Sequence, residues 1–317
     1  MKILRGFFFL VFLCSCTLFS IAQTAGVDTN LVLHTAKGDI HGTLQTAVAK
    51  KKTPVVLIIP GSGPVDRNNN HEKMVNNMLQ MIADSLANHG IASLRYDKRG
   101  IGASKSANPS EKDLRFDDYV SDAAGWVKML RKDKRFSTVY VLGHSEGALI
   151  GALVAQKEKL GGLISVAGAG RPIDQILRAQ LKPKLPTDLM DTCNYVFDEL
   201  LAGREVPKIS RRLAMVARPD VQPYLISWFK YDPRQEIAKV KVPVLIISAA
   251  NDVQVTEEDA DNLEKAAPKA KSVRLQGTNH LMKKGTTDVA DNLSAYMNPK
   301  LPVVPEFVQA IVSFIKK

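Results

Sequence analysis

The chain has 317 residues, 45% of them hydrophobic and 24% charged, which is ordinary for a globular protein able to bury a substantial core. Its net charge of +11 is scattered, with short basic clusters such as 50–52 and 316–317, and no basic stripe interleaved with aromatics offers a nucleic-acid surface. Of the 3 cysteines, Cys14 and Cys16 lie near the N-terminus and Cys193 stands alone beyond them, which excludes a disulfide-stapled scaffold and a cysteine-based metal cluster.

The first residues, MKILRGFFFLVFLCSCTLFSIAQT, place Lys2 and Arg5 before an apolar run from Phe7 to about Phe19, followed by Ser20-Ile21-Ala22. That is the plan of a secretory signal, with an apolar run too short to span a bilayer comfortably. A signal peptide over 1–22 and a mature domain over 23–317 are therefore expected, exported to the periplasm or the extracellular space. Leu13-Cys14-Ser15-Cys16 resembles a bacterial lipobox, so lipid anchoring through Cys16 is the alternative route.

Two alternating segments follow, LVLHT (31–35) and DIHGTLQTAV (39–48), and flank Lys37-Gly38 as an expected hairpin. The pattern then changes to short, wholly apolar runs: VVLII (55–59), IASLRY (91–96), TVYVL (138–142), GLISV (162–166), VPVLIIS (242–248) and SVRLQ (272–276). Such runs suit strands buried on both faces of a parallel sheet. Between them, 74–86 and 116–130 carry apolar residues at helical spacing. Strands alternating with helices predict an α/β, doubly wound, mostly parallel sheet, with ligands beyond the carboxyl ends of the strands. From about 171 to 240 no strand pattern appears, and helical pieces are cut by prolines; this stretch is expected to form a helical cap.

Gly143-His144-Ser145-Glu146-Gly147 stands between the strand VYVL and the small apolar residues ALIGALVAQ. In a sharp strand-to-helix turn the positions flanking the serine have almost no room for side chains, and the hydroxyl is raised clear of the sheet. A serine hydroxyl needs a base to take its proton, and the base needs an orienting acid. Of six histidines only His280 follows Ser145, in GTNHLM just after SVRLQ. Asp252 ends the loop after VPVLIIS, whereas Glu257, Glu258, Asp259 and Asp261 sit where a helix begins and satisfy its dipole. The predicted catalytic set is Ser145, Asp252 and His280. An oxyanion hole is expected from the N–H of Glu146 and of Ser62 in PGSGPVDRNNN (60–70), with Gly63 as the second choice. That loop has neither the lysine of a phosphate-binding loop nor the spacing of a dinucleotide fingerprint. In YDKRGIGAS (96–104), Asp97, Arg99 and Gly102 are expected to brace the turn beside it.

With these residues assigned, the chain resembles an α/β-hydrolase over nearly the whole mature sequence. More narrowly it is similar to a bacterial esterase group near the serine-aminopeptidase-like (S33-type) hydrolases. PGSGPVDRN, YDKRGIGAS, GHSEG, SWFKYDPRQEIAKVKVPVLIISAANDVQV and NHLM carry the likeness. The resemblance implies hydrolysis of short-chain acyl esters through an acyl-enzyme, without metal or cofactor, with Ser62 in the oxyanion hole and Ser145, Asp252 and His280 as the triad. The expected partner is a small-molecule acyl ester, with no nucleic acid and no integral membrane span. A peptidase or acyltransferase on the same triad, or a non-enzymatic protein that binds in the capped pocket, are the alternatives.

Overall fold

Val55, Val56, Leu57, Ile58 and Ile59 are all 0% exposed, although successive side chains of a strand point to opposite faces. That pattern requires a sheet covered on both sides. In the computed structural model, which describes residues 26–49, 51–108 and 110–317, those residues lie in β3 (Thr53–Ile59) near the middle of an eight-stranded sheet. The expected signal peptide (1–22) and Cys16 lie outside the described residues.

The sheet begins with the predicted hairpin, β1 (Val27–Thr35) and β2 (Gly38–Thr46), paired antiparallel. β2 also runs antiparallel to β4 (Ala92–Tyr96). From there the sheet is parallel, through β5 (Phe136–His144), β6 (Gly162–Val166), β7 (Val244–Ala249) and β8 (Lys271–Leu275), in the order β1-β2-β4-β3-β5-β6-β7-β8. β4 and β5, the next two strands in sequence, lie on opposite sides of β3. This reversal opens a crevice at the carboxyl end of β3, the place where α/β sheets receive ligands.

Helices cover both faces. α1 (Met78–Asn88) packs with the C-terminal helix against one, burying Val56, Ile58, Leu142, Ile164 and Ile247. α2 (Phe116–Lys132) and α3 (Glu146–Lys157) cover the other, over Val55, Leu57, Ile59, Val141 and Leu163. The apolar pattern at 74–86 predicts a start one turn too early for α1. Met74 instead forms a bridge with His71, and Asn77, in a left-handed conformation, precedes the first turn.

Between β6 and β7 stand α4 (Ile173–Leu181), α5 (Thr187–Leu201), α6 (Ala214–Ala217), α7 (Gln222–Phe229) and α8 (Pro233–Ala238). After β7 comes α9 (Glu257–Ala266), whose acidic first turn is closed by a capping box between Thr256 and Asp259. α10 (Val289–Ser294) and α11 (Pro305–Ile315) end the chain. No helix among the described residues is long and apolar enough to cross a membrane.

Candidate active site

Ser145 occupies the one residue between β5 and α3, with φ 54° and ψ −117°. An L-residue held there costs about 1–3 kcal/mol, which the surroundings must supply. They do so by crowding: a Cβ on Gly143 would lie 1.9 Å from the Gly147 carbonyl oxygen, and one on Gly147 would lie 2.5 Å from that of Ile59. The Ser145 N–H donates to the Val166 carbonyl at 2.9 Å, so β6 holds the elbow from the other side. Ser145 itself is half-buried and lines a cavity of about 540 Å³.

The loop after β7 carries Asp252 and the loop after β8 carries His280. The two are tied by the Asn251 N–H donating to the Thr278 carbonyl at 2.9 Å. Asp252 Oδ2 lies 2.6 Å from His280 Nδ1, with both side chains buried. The other carboxylate oxygen, Oδ1, accepts the Gln254 N–H at 2.7 Å and the Val255 N–H at 3.0 Å. One oxygen thus closes an Asx-type turn while its twin holds the imidazole, so the local turn chemistry itself orients the acid. A carboxylate only accepts here, so Nδ1 bears the hydrogen and Nε2 keeps its lone pair. Among the described residues no hydrogen bond joins the Ser145 hydroxyl to the His280 ring; that link is open in this structure.

The loop at 60–64 enters from the carboxyl end of β3 and lies against the elbow, since a Cβ on Gly61 would sit 3.2 Å from that of Ser145. Ser62 and Gly63 line the cavity with Ser145 and Glu146. Among the described residues neither the Ser62 N–H nor the Glu146 N–H has an acceptor. The rest of the loop is knit internally: Asp66 Oδ1 accepts from the Asn68 and Asn70 N–H groups, and Asn70 Oδ1 from those of Asn76 and Asn77.

Asp97 binds this loop to the turn after β4. It takes Arg67 Nη2 at 2.8 Å, the Arg67 N–H at 2.8 Å and the Ala103 N–H at 2.9 Å. Burial alone would raise its carboxyl; the Arg67 side chain and the two backbone donors outweigh that and hold it below the ordinary range. Arg99 turns the other way, onto Asp122 of α2, at 2.5 Å. Both charges therefore serve the framework.

The family model described as "Serine aminopeptidase, S33" matches residues 71–227, a stretch that contains Ser145 and ends before Asp252 and His280. Esterase EstD of Thermotoga maritima is 30% identical over 239 residues, covering 73% of this chain and 55% of the relative. The chain thus spans about half the length of that curated relative. Among solved structures, Est1E of Butyrivibrio proteoclasticus with ferulic acid bound superposes with TM-score 0.62 at 18% identity, covering 90% of this chain and 100% of that one. The Pyrococcus furiosus esterase Pf2001 gives TM-score 0.58 at 15% identity, with coverage of 92% and 91%.

The chain has the α/β-hydrolase fold.

Two features of the site escape the sequence reading. His144 Nε2 lies 2.9 Å from the His280 carbonyl oxygen, so its Nε2–H donates there, and the two rings are 4.7 Å apart. Burial and the neighbouring His280 push the His144 ring down to about 3, and it stays neutral through the ordinary pH range. The second feature is a buried polar cluster in the cavity wall. Lys98 Nζ donates to the Gly61 carbonyl at 2.6 Å, lies 3.5 Å from Glu146 Oε1 and sits 5.0 Å from the centre of the Tyr119 ring. His144 and Lys98 both sit inside motifs the sequence singles out, but nothing in the pattern says which way their side chains turn.

Proposed function

We propose that this chain is an exported serine carboxylesterase acting on small acyl esters. The bond between Asp252 and His280 carries the reading, because it fixes the tautomer that leaves His280 Nε2 with a lone pair for the serine proton. In the proposed cycle Ser145 Oγ attacks the ester carbonyl carbon and passes its proton to His280 Nε2. The Ser62 and Glu146 N–H groups receive the oxyanion, each worth about 3 kcal/mol. His280 then protonates the departing alcohol, leaving an acyl-Ser145 ester. A water molecule gives its proton to His280, attacks that ester and releases the carboxylic acid, restoring the serine. The reading requires Ser145 Oγ to reach His280 Nε2 by turning about its own χ1, and hydrogen bonds of this kind commonly tighten only with substrate in place.

Support for an ester substrate comes from the likeness to esterases and from a cavity lined by Leu149, Ile176, Val221 and Trp228, which presents apolar surface to an acyl or aryl group. Support for export is the N-terminal sequence alone. The decisive measurement is p-nitrophenyl acetate turnover by wild type and Ser145→Ala, with fluorophosphonate labelling of both. Ser145→Ala is expected to lose kcat by roughly a millionfold and to take no label. Equal rates in the two proteins would end the proposal.

A further inference from the structure

The reaction proposed above needs two backbone N–H groups to point at one spot, and they come from distant parts of the chain: residue 62 follows β3 and residue 146 opens α3. Hydrogen bonds within a strand or helix fix neither group. What fixes them relative to each other is visible in one side chain.

The Gly61–Ser62 peptide is trans, as are all the described peptide bonds, so its C=O and N–H point in opposite directions from a single rigid plane. Lys98 Nζ grips that carbonyl at 2.6 Å from below. Holding the oxygen on one side of the loop turns the Ser62 N–H to the other, and an ammonium on the oxygen also polarises the N–H toward greater donor strength. The same ammonium lies 3.5 Å from the carboxylate of Glu146, the residue whose own N–H is the second donor. Lys98 and Glu146 side chains are 1% and 2% exposed, so water does not loosen the pair. The Tyr119 ring stands 5.0 Å from Nζ and faces the ammonium with its π-electrons.

We propose that Lys98 and the Glu146 carboxylate form a tie beneath the oxyanion hole, setting the distance and direction between its two donors. Lys98 is a positioning residue: it acts through the Gly61–Ser62 peptide, whose carbonyl its Nζ holds at 2.6 Å. This inference rests on the esterase reading and on Ser62 and Glu146 as the donors.

The rival explanation is that Lys98 merely neutralises a buried carboxylate in the cavity wall, since a buried charge left alone is costly. The two differ in what happens when both charges go. Four proteins separate them: wild type, Lys98→Met, Lys98→Arg and the double variant Lys98→Met/Glu146→Gln. The last leaves no unpaired charge and keeps the Glu146 N–H, so it remains informative where Lys98→Met alone fails to fold. Each is assayed for kcat and KM on p-nitrophenyl acetate and for affinity toward a trifluoromethyl ketone, whose adduct with the serine places an oxyanion in the hole.

A tie predicts that Lys98→Met and the double variant both lose kcat by about 10- to 100-fold with KM changed by less than about threefold, and lose ketone affinity in parallel. Lys98→Arg, which can still donate to the Gly61 carbonyl, recovers part of both. Recovery of wild-type kcat and ketone affinity in the double variant would overturn the tie and leave the esterase reading intact. A wild-type protein that neither turns over the ester nor takes the fluorophosphonate label would remove the esterase reading first, and the tie with it.

Discussion

The carboxyl edge of the sheet and the helical insertion between β6 and β7 solve different problems with the same twenty residue types. At the edge each residue answers to a backbone constraint. Gly147 leaves room for the Ile59 carbonyl, Ser145 adopts a left-handed φ, and Asp252 closes its own turn while binding His280. In the insertion, α4 to α8 are held by apolar faces around Phe197, Leu200, Leu225 and Phe229, and by ion pairs at the surface such as Arg204 with Glu199. Shape is what matters there, and many side chains can make one shape. The edge should therefore tolerate little substitution and lose chemistry in large steps, whereas the insertion should tolerate much and shift preference in small ones.

The sharpest test of the edge is Asp252→Asn. The amide keeps the volume and its oxygen can still accept the turn N–H bonds, but its other end then presents N–H₂ to His280 Nδ1. The imidazole is then freed to take the wrong tautomer, with hydrogen on the nitrogen that should act as base. A loss in kcat of about 10,000-fold is expected with little change in melting temperature. A loss below tenfold in a folded protein would show that the acid is another residue.

A second test uses the buried histidine of the elbow. His144 has an ordinary value of 6.5 and is held at about 3 by burial and by His280. The unfolded chain takes up a proton near 6.5 while the folded one refuses it until about 3. This group therefore leaves stability unaffected above 6.5 and removes it progressively as the pH falls toward 3, by an amount on the order of a few kcal/mol. His144→Gln, which keeps a donor for the His280 carbonyl, should lose part of that acid sensitivity. Urea unfolding of both proteins at pH 7 and pH 4 measures it, and the difference between the two slopes isolates this residue from the carboxylates. Equal slopes would mean that the ring is already protonated or open to water when folded.

The same contrast explains what the sequence makes legible. The sheet can be read because strands buried on both faces leave apolar runs such as GLISV, which coincides with β6 residue for residue. The elbow can be read because two glycines and a serine are needed together, and His280 because no other histidine follows Ser145. Lys98 and His144 cannot be assigned roles in that way. Each sits in a motif, but its work depends on a carbonyl contributed by a distant loop, Gly61 or His280, and a one-dimensional pattern does not carry such a meeting. The start of α1 is misjudged for a related reason: Met74 continues the helical spacing, but the asparagine network at 69–77 captures the backbone first.

The smallest effect is expected in the insertion, and it is the one that decides which end of the substrate lies there. Val221 lines the cavity beside Tyr224 and Leu225, with Trp228 stacked on Phe116 behind them at 5.5 Å. Val221→Trp adds bulk inside the cavity without disturbing that stack or the edge. On p-nitrophenyl esters of increasing acyl length the alcohol stays constant, so only an acyl chain that reaches Val221 feels the change. If the acyl group lies under the insertion, kcat/KM for octanoate should fall about tenfold relative to acetate, the scale set by one or two methylenes in an apolar pocket. If the alcohol lies there, acetate and octanoate should fall together and their ratio should hold. Either result assigns the 540 Å³ of cavity to one half of the ester. A loss of all activity, by contrast, would contradict the division between a rigid edge and a permissive insertion, because it would mean that a side chain of the insertion controls the chemistry at the serine.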